Sequence, residues 1–387
     1  LIKTGYKMNK KMMMVATTAS MIGQFNINNI KLLIDMGYDV VVACNFNSGS
    51  SWNQDDSIKL KEQLRGLGVE FHNIPFNRSP LAISDNFRSL LQLNSILKKN
   101  RFDFIHCHTP VGGAIARLVA KYNNTPSIYT AHGFHFFKGA PLKNWLIYYP
   151  IEKWLSTITD VLITINAQDF NIAKKKFYTK QVLKIPGVGI DLKKFKKDDE
   201  VRTIARKKLG VAPHQVMILS VGELNSNKNQ RVIIEALKII NNSDIKYFIV
   251  GIGNKEKYLK DLVSNYGLDE SIKFLGYRTD ISELDNATDI FAFPSYREGL
   301  GLSAIEAMAS GAVLITSNSG GIVEYSINGK TGYNYDPNDI SGFTEGIRKF
   351  IDDVDFRKKV SNNNAKFAQK YSDEYVRNIM REVYDQF

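Results

Sequence analysis

The stretch FPSYREGLGLSAIEAMASG, residues 293–311, contains the end of an apolar run, a glycine-rich loop and a short helical pattern. The apolar run ends at Phe293-Pro294, and Gly311 stops the helix. Glu298 lies in the loop and Glu306 among alanines and a methionine, although a carboxylate is costly to bury without a partner. A buried strand followed at once by a helix is the repeating unit of a parallel sheet. The stretch therefore predicts an α/β fold in which two acids face a ligand.

The same alternation of short apolar runs and helical periods extends along the chain in both directions. In the first half the predicted strands are Met12–Ala16, Val40–Ala43, Val69–His72, Phe104–Cys107, Ser127–Thr130, Val161–Ile165 and Val182–Ile185. In the second half they are Val216–Val221, Lys246–Val250, Ile272–Leu275, Ile290–Phe293 and Val313–Thr316. Strands without polar alternation, joined by helices, indicate parallel sheets that are covered on both faces.

One segment interrupts this alternation and divides the chain. Residues 186–200, PGVGIDLKKFKKDDE, are glycine-rich and then charged, which is typical of a linker. We expect a first domain at 1–185 with a short tail at 1–8, the linker at 186–200, a second domain at 201–365 and a terminal helical segment at 366–387. The terminal segment can lie against either domain. Both domains are predicted to be doubly wound α/β units, with ligands beyond the carboxyl ends of their strands.

The net charge of +12 is confined to the first half of the chain. Residues 1–185 carry 23 Lys and Arg against 11 Asp and Glu, whereas the remainder is neutral. An anionic partner such as a membrane surface would explain the excess, and ordinary solvated lysines would explain it equally well. No nucleic-acid-binding motif is present. Cys44 and Cys107 each end an apolar run and are predicted to be reduced core thiols in a cytoplasmic protein.

Two loops of the second domain follow strands and contain glycine. In ILSVGELNSNKN, residues 218–229, Gly222 lets the backbone approach a ligand and Lys228 precedes a helix, as at phosphate sites. In VGIGNKEKYL, residues 250–259, a dinucleotide fingerprint would require a third glycine where Glu256 stands. A nicotinamide oxidoreductase is therefore disfavoured.

The loop in the opening stretch is a candidate seat for a diphosphate. Residues 299–303 lie at the predicted helix start, where backbone N–H groups lack intrahelical partners and the helix dipole favours anions. Glu306, one turn into the helix, can accept hydrogen bonds from two ribose hydroxyls. Glu298 can accept them from the hydroxyls of a second sugar.

These residues resemble the signature of a known enzyme family. Glu298 and Glu306, seven residues between them, within PSYREGLGLSAIEAMASG resemble the motif of retaining glycosyltransferases of the GT-B fold, family four. The segments GYRTDISELDNATDIFAFPS, ITSNSGGIVEYSINGKTGYNYDP and VGELNSNKN are similar to the donor domain of that family. In the first half, DFIHCHTPVGGAIARLVAK and SIYTAHGFHFF resemble bacterial exopolysaccharide and capsule enzymes. The resemblance covers residues 10–387.

The resemblance implies two tandem Rossmann-like domains facing a central cleft and a nucleotide-sugar donor, expected to be a UDP-linked N-acetylhexosamine or hexose. It assigns the ribose to Glu306 and the donor sugar to Glu298. The remaining implied contacts are the base with backbone groups around Tyr277 and Arg278, and the diphosphate with Lys228, Gly299, Leu300, Gly301 and Leu302. Many relatives have arginine where this chain has Glu223, so leaving-group stabilisation is assigned to Lys228.

In the first domain the resemblance implies two further site residues. His132, after the strand in TAHGFHF, is expected to contact the donor sugar. Gly23, in SMIGQFN, corresponds in position to a flexible loop of the family that lies near the transferred group. His135 is predicted to be a packing residue.

No metal or other cofactor is expected. The only Asp-x-Asp match, Asp353-Val354-Asp355, lies in a polar helical segment, and His106 and His108 lack further zinc ligands at ligand spacing. Retention could use a carboxylate nucleophile, but Glu152 and Asp169 are predicted to lie in helices. We therefore expect front-face attack, in which the leaving diphosphate takes the proton of the acceptor.

The sequence indicates less about the acceptor than about the donor. Residues 136–155, FFKGAPLKNWLIYYPIEKWL, combine Trp and Tyr with lysines, which suits a membrane interface and also suits a helix packed on the sheet. With the basic first half, this predicts a peripheral protein at the inner face of the cell membrane and a lipid-diphosphate-linked sugar acceptor in capsule or exopolysaccharide synthesis. The sequence leaves the oligomeric state open.

Two other functions remain compatible with the same motifs. A nucleotide-sugar epimerase of the same fold would act on the donor without an acceptor. A non-catalytic nucleotide-sugar or glycan-binding protein would keep the folds without turnover.

Overall fold

The computed structural model describes residues 10–47, 52–137 and 139–387. The chain forms two compact units: the first ends at Val188 and also includes Val376–Phe387, and the second is Gly189–Tyr375. The first change of unit falls inside the predicted linker 186–200. The second falls after residue 375, beyond the predicted start of the terminal segment at 366. The tail predicted at residues 1–8 lies outside the described residues.

The first unit is built on a seven-stranded parallel sheet. Its strands are β1 (Lys10–Thr18), β2 (Tyr38–Asn45), β3 (Glu70–Asn73), β4 (Phe104–His108), β5 (Ser127–Ala131), β6 (Val161–Thr164) and β7 (Gln181–Lys184). Their order across the sheet is β3-β2-β1-β4-β5-β6-β7. All seven predicted strands are confirmed, with bounds that differ by one or two residues. In the central β1, Met12, Met13 and Met14 are fully buried, because helices cover both faces of a doubly wound sheet.

Helices connect these strands, and one helix reaches the first unit from the far end of the chain. They are α1 (Ala19–Phe25), α2 (Ile27–Asp35), α3 (Gln54–Gly66), α4 (Ile83–Lys99), α5 (Pro110–Tyr122), α6 (Leu142–Leu155) and α7 (Ala167–Lys176). The far helix comprises Asp373–Tyr384 and is α15 in the numbering of the complete chain. Its Tyr384 ring stacks on Phe104 with 5.7 Å between the ring centroids. The last residues of the chain therefore complete the core of the first unit.

The second unit has a six-stranded parallel sheet. Its strands are β8 (Val216–Val221), β9 (Ile245–Val250), β10 (Ile272–Gly276), β11 (Ile290–Phe293), β12 (Val313–Ser317) and β13 (Gly332–Tyr335). Their order is β10-β9-β8-β11-β12-β13. The edge strand β13 was not predicted, because GYNY is short and only half-buried and so lacks the apolar run that marks the others.

In the second unit one helix precedes the first strand, three helices connect strands β8 to β11, and the rest come after β11. In chain order, the helices are α8 (Asp199–Lys208), α9 (Gln230–Ile240), α10 (Glu256–Asn265), α11 (Ile281–Ala287), α12 (Leu302–Ala309), α13 (Ile340–Asp352) and α14 (Val354–Phe367). Within the described ranges, none of the helices has both the length and the apolar character needed to cross a bilayer.

In each sheet the direction of chain winding reverses between two neighbouring strands. The reversal falls between β1 and β4 in the first unit and between β8 and β11 in the second. Ligands of open parallel sheets bind beyond the carboxyl ends of the strands at this point. The loops after these four strands are therefore the places where a ligand is expected.

Candidate functional site

In the second unit, hydrogen bonds join the loops after β8 and β11. The amide of Tyr296 donates to the carbonyl of Asn227 at 2.8 Å, and the Asn227 side-chain amide donates to the carbonyl of Arg297 at 3.0 Å. The two sequence segments that were predicted to bind phosphate and sugar therefore meet at the reversal point of one sheet.

Lys228 and Glu298 form an ion pair between these loops. Lys228 Nζ lies 2.8 Å from Glu298 Oε1, and the two side chains are 20% and 15% exposed. The ammonium also lies 4.7 Å from the centroid of the Phe293 ring. A Cβ at Gly222 would lie 3.0 Å from the Lys228 side chain, so the glycine leaves room for the lysine stem. The structure thus brings together three residues that the sequence assigned to the donor.

Helix α12 begins directly after the Glu298 loop. Its N-cap residue is Gly301, with φ of +88°, a conformation that favours glycine. A Cβ there would lie 2.5 Å from the Phe293 ring and 2.8 Å from the Tyr325 hydroxyl. Gly301 therefore meets both a conformational and a packing requirement, which fixes the direction of the helix start.

A glycine pair that the sequence analysis did not assign supports the same loop. A Cβ at Gly320 would lie 2.2 Å from the carbonyl oxygen of Glu298, and one at Gly321 would lie 2.1 Å from that of Gly299. The Gly321 amide donates to the Glu298 carbonyl at 3.1 Å. The sequence signal was available, since Gly320-Gly321 comes after β12 as the other site glycines come after their strands.

Glu306 lies one turn into α12 and is only partly exposed. Burial raises the pKa of its carboxyl to about 7, against the opposing attraction of Lys194. Behind it, Asp285 of α11 is fully buried, and both its carboxyl oxygens lack a hydrogen-bond partner among the described residues. Burial, together with the charge of Glu306, raises the pKa of Asp285 well above its ordinary value. Asp285 and Lys194 were not predicted: Asp285 lies in the quoted segment GYRTDISELDNATDIFAFPS, but its burial beside Glu306 depends on contacts between elements that the sequence does not show.

Tyr277 and Arg278 come directly after β10, at the same edge of the sheet as Gly222. The Tyr277 ring is 73% exposed, and Arg278 Nε donates to Asp280 Oδ1 at 2.8 Å. Both residues are therefore available at the surface of the second unit, and Arg278 is held by a neighbour in its own loop.

In the first unit, the loops at the sheet reversal contain a cluster of histidines. His132 comes directly after β5 and is partly exposed, and its Nε2 lies 3.1 Å from Nδ1 of His108, the last residue of β4. The His106 and His108 rings have centroids 4.3 Å apart. Burial lowers the pKa of His132 to about 4 and that of His106 to about 3. These histidines are therefore neutral at pH 7.

The expectation of a flexible loop at Gly23 is wrong. Gly23 lies inside helix α1, and a Cβ there would come within 2.5 Å of the Trp52 indole. The glycine permits close packing of the Trp52 ring on the helix. His135 stacks on Tyr148 with 4.6 Å between ring centroids, as expected of a packing residue.

A cavity of about 690 Å³ opens in the first unit between α1, α5 and α6. Its lining is largely apolar and includes Met21, Phe25, Ile147 and Ile151. Two segments that contribute residues to its lining also carry exposed large apolar side chains: Leu81, Ile83 and Phe87 on one, and Leu142, Leu146, Ile147, Ile151 and Trp154 on the other. We call these two segments the apolar rim.

The described residues contain no cluster of three or more His, Cys, Asp and Glu side chains that could hold a metal ion. Asp353 of the single Asp-x-Asp match caps α14, where its carboxylate accepts a hydrogen bond from the Phe356 amide at 2.8 Å. That aspartate therefore has a structural role.

Comparison with protein families and relatives agrees with this arrangement. Residues 201–367 match the family described as glycosyl transferases group 1, and residues 17–166 match glycosyl transferase 4-like. The chain is 32% identical over 387 residues to a Bacillus subtilis (strain 168) protein named putative glycosyltransferase EpsD, covering 98% of this chain and 97% of that protein.

A second relative has a more specific name. It is the UDP-Gal:alpha-D-GlcNAc-diphosphoundecaprenol alpha-1,3-galactosyltransferase of Escherichia coli, which is 28% identical over 91% of this chain and 92% of its own length.

Solved structures show the same fold. Anabaena HepE in complex with UDP and glucose has a TM-score of 0.78 at 18% identity, covering 98% of this chain and all of that one. WaaG, a glycosyltransferase involved in lipopolysaccharide biosynthesis, has a TM-score of 0.71 at 18% identity, covering 95% and 99%. With two Rossmann-like parallel sheets and the match to EpsD over nearly its full length, the chain belongs to the group 1, family 4-like glycosyltransferases of the GT-B fold.

Proposed function

We propose that this protein is a retaining, metal-independent transferase that moves a hexose or N-acetylhexosamine from a UDP-sugar to a lipid-diphosphate-linked saccharide in capsule or exopolysaccharide synthesis. The observation that carries the proposal is the Lys228–Glu298 pair at the start of α12, with Glu306 one turn inside that helix. A cation, a helix start and two acids suit the diphosphate, pentose and hexose parts of one nucleotide sugar.

Each part of the donor has a proposed seat in the second unit. The diphosphate binds the start of α12 at Gly299–Leu302 together with Lys228. The ribose hydroxyls bind Glu306, and the base binds the loop at Tyr277 and Arg278. The complexes of HepE with UDP and UDP-glucose support a uridine nucleotide as the class of donor. Because Lys228 is paired with Glu298 in the structure, donor binding exchanges that pair for a lysine–phosphate contact. The exchange frees Glu298 to accept sugar hydroxyls.

Charge on the leaving diphosphate is stabilised by this chain's own groups in the proposed reaction. A helix N-terminus favours anions, and Lys228 supplies a full positive charge where charge develops. Lys228 is most effective where water is excluded, and its side chain is already four-fifths buried. His132 of the first unit is proposed to contact the donor sugar.

Retention is proposed to occur by front-face attack. The two carboxylates that could serve as a nucleophile in the first unit have structural partners. Glu152 accepts two hydrogen bonds from Arg117, at 3.0 and 3.1 Å. Asp169 accepts from the Phe134 amide at 3.0 Å and from Asn166 Nδ2 at 3.0 Å. With both acids held in this way, the leaving diphosphate is the base proposed to take the proton of the acceptor.

The acceptor is proposed to bind in the first unit, at the apolar cavity. Its lining suits a lipid-linked substrate, and the apolar rim with the +12 charge of residues 1–185 suits an anionic bilayer surface. The name of the Escherichia coli relative, which specifies a diphosphoundecaprenol acceptor, supports this class of acceptor. The protein would then act at the cytoplasmic face of the membrane as a peripheral protein.

A donor screen with a subsequent transfer assay tests the proposal. UDP-glucose, UDP-galactose, UDP-N-acetylglucosamine and GDP-mannose are compared for protection against thermal unfolding, where a ligand at a hundredfold its Kd adds about 2.7 kcal/mol. Transfer of the protecting sugar to a lipid-diphosphate-linked N-acetylglucosamine is then measured with EDTA present, and the anomeric configuration of the product is read by NMR. Protection by no UDP-sugar, dependence on a divalent ion, or an inverted anomer would each contradict the proposal.

Two variants separate transfer from binding. Glu298→Ala should abolish transfer and keep UDP binding, because Glu298 is assigned to the sugar. Glu223→Ala is the matched control, since Glu223 is exposed in a loop of the same unit and has no assigned role. Equal loss in both variants would show that the effect comes from the loops in general. Conversion of the UDP-sugar without an acceptor would indicate an epimerase.

A further inference from the structure

The histidines of the first unit are connected in a chain that begins at a sulfur atom. Nε2 of His108 lies 3.2 Å from Sδ of Met14 in the central strand β1. Nδ1 of the same ring lies 3.1 Å from Nε2 of His132. Met14 is fully buried and His108 nearly so, so no water competes for these contacts. Both ring nitrogens of His108 are therefore engaged, one with a thioether and one with His132.

The thioether determines where the protons lie. A neutral imidazole has one N–H and one lone pair, and a thioether sulfur accepts hydrogen bonds and has no proton to donate. A lone pair on His108 Nε2 would face the lone pairs of Met14, so Nε2 must carry the proton. Nδ1 of His108 then accepts, and His132 must donate to it from Nε2. The Nδ1 atom of His132 is left as the lone-pair nitrogen.

His106, on strand β4 like His108, shows how a histidine without a sulfur partner differs. Its Nδ1 lies 2.8 Å from the Tyr384 hydroxyl, and its Nε2 lies 2.8 Å from the Thr130 hydroxyl. Hydroxyls both donate and accept, so either tautomer of His106 is satisfied. Of these two rings, it is His108, with a pure acceptor at one end, whose hydrogen bonds have a fixed direction.

We propose that His108 is a positioning residue which, through Met14, fixes His132 as its Nε2–H tautomer so that Nδ1 of His132 accepts a hydrogen bond from a hydroxyl of the donor sugar. The inference rests on the proposed function for the contact between His132 and the sugar. Among the described residues, Nδ1 of His132 has no hydrogen-bond partner, which leaves it available to a ligand.

The direction of the hydrogen bond has a consequence for specificity. A sugar hydroxyl can donate to the lone pair on Nδ1, whereas an ether or fluorine at the same position cannot. If His132 were the opposite tautomer, its Nδ1–H would accommodate an ether oxygen as an acceptor. The sulfur of Met14 thus selects for a free hydroxyl at a site that it does not touch.

The tautomer can be measured without any nucleotide. The protein contains six histidines, so ¹⁵N-histidine labelling gives an assignable spectrum in which protonated and unprotonated ring nitrogens resonate far apart. Wild type should show His132 with its proton on Nε2. Met14→Leu, which conserves volume, and His108→Leu should both remove the bias and give averaged signals. His108→Asn should restore it, because its amide oxygen can take the place of Nδ1 and accept.

Tyr384→Phe is the matched control for this spectrum. It removes the hydroxyl from His106 and leaves the Met14–His108–His132 chain intact, so the His132 signals should not change. A wild-type His132 with its proton on Nδ1, or a His132 spectrum that is unchanged in both Met14→Leu and His108→Leu, would overturn the inference.

Affinity for UDP-glucose and UDP-galactose relative to UDP gives the second measurement. His108→Leu should weaken binding of the UDP-sugar that wild type prefers by about tenfold, the value of one hydrogen bond, while the Kd for UDP stays unchanged. His108→Asn should recover most of the difference. Equal weakening for UDP and UDP-sugar would indicate a merely structural role and contradict the inference. If wild type binds neither UDP-sugar, the proposed function fails, whereas the tautomer spectrum still decides the proton positions.

Discussion

The two units share one architecture, but two of their buried charges have contrasting surroundings, although the second unit also contains a balanced pair between Arg206 and Asp289. In the first unit, the buried Arg117 makes a bidentate pair with Glu152 and lies 3.9 Å from the centroid of the Tyr129 ring. In the second unit, Asp285 is fully buried without a hydrogen-bond partner among the described residues, and Glu306 in front of it has only the distant attraction of Lys194. The Arg117–Glu152 pair therefore stabilises the fold, whereas Glu306 is the acid for which we propose that a ligand supplies the missing hydrogen bonds.

The largest expected effect is on the free energy of unfolding when the Arg117–Glu152 pair is broken. Arg117→Met should lower the free energy of unfolding by about 3–5 kcal/mol, because it leaves Glu152 buried and uncompensated. Chemical denaturation measures the change. The double variant Arg117→Met, Glu152→Met should recover most of the loss, since replacing both charges by apolar groups is often neutral. If the double variant were as unstable as the single one, packing rather than charge balance would be the cause.

Next in size is the loss of the cation from the donor seat. Lys228→Met should lower kcat about 10²–10³-fold, because it removes a charge aimed at the leaving group. Steady-state kinetics with the UDP-sugar identified by thermal protection measures it. Lys246→Met, in strand β9 of the same unit, is the control and should leave kcat unchanged. A Lys228 variant with raised KM and normal kcat would assign the lysine to ground-state binding alone.

The unbalanced acids should make stability depend on pH. The folded pKa of Glu306 is about 7, above its ordinary value, so the folded state retains a proton that the unfolded state releases. The free energy of unfolding therefore falls as pH rises from the ordinary pKa of 4.5 to about 7, and it is constant above pH 7. Glu306→Gln lacks this loss, and its advantage over wild type should grow by roughly 2 kcal/mol between pH 5 and pH 8. Glu62→Gln, exposed on α3, should show no such trend.

The same titration should appear in the affinity for UDP. In the proposed donor seat the ribose hydroxyls donate to the ionised form of Glu306, and the ionised fraction rises as pH increases through 7. The Kd of UDP should therefore decrease about tenfold between pH 6 and pH 8 in wild type, as calorimetry would show. In Glu306→Gln the Kd should be weaker and nearly flat. A wild-type Kd that is flat over this range would contradict the assignment of the ribose to Glu306.

The smallest expected effect concerns the apolar rim of the first unit. Leu146→Ser should weaken binding to anionic vesicles about fivefold, because it removes one exposed apolar side chain from the proposed membrane face. Cosedimentation measures it at low and high salt. Ile204→Ser, an exposed apolar residue on α8 of the second unit, is the matched control and should bind as wild type does. Equal losses in both variants would place the membrane face elsewhere.

Most of the fold could be predicted because each central strand is a run of apolar residues that needs no partner to be recognised. Met12–Ala16 and Val216–Val221 are of this kind, and both lie near the centre of their sheets. The edge strand β13 was not predicted, because a strand with one solvated face can contain polar residues and then lacks a continuous apolar run. Helix α1 was not predicted, because ASMIGQF is too short to show a helical period and the family resemblance placed a loop at Gly23.

The proposed donor seat was partly predictable for a different reason. Lys228, Glu298 and Glu306 come after strands in recognisable segments, so each could be identified locally. The pairing of Lys228 with Glu298 was not visible, because it depends on the distance between two loops that are far apart in the chain. Gly320-Gly321 supports the site through a close backbone approach, and its position directly after β12 was a local signal that the sequence analysis did not use. Asp285 acts through burial, which leaves no local pattern.

The return of α15 to the first unit means that this domain is not encoded by a continuous stretch of sequence. Tyr384 and Phe387 pack on Phe104, with 5.7 and 5.0 Å between ring centroids, and Tyr384 also supplies the hydroxyl bound by His106. A domain exchange between relatives that replaces the first unit must therefore replace both the residues up to 188 and the terminal helix. A chimera whose only junction is near residue 188 would combine the first unit of one relative with the terminal helix of another. That helix would not match the core on which it has to pack.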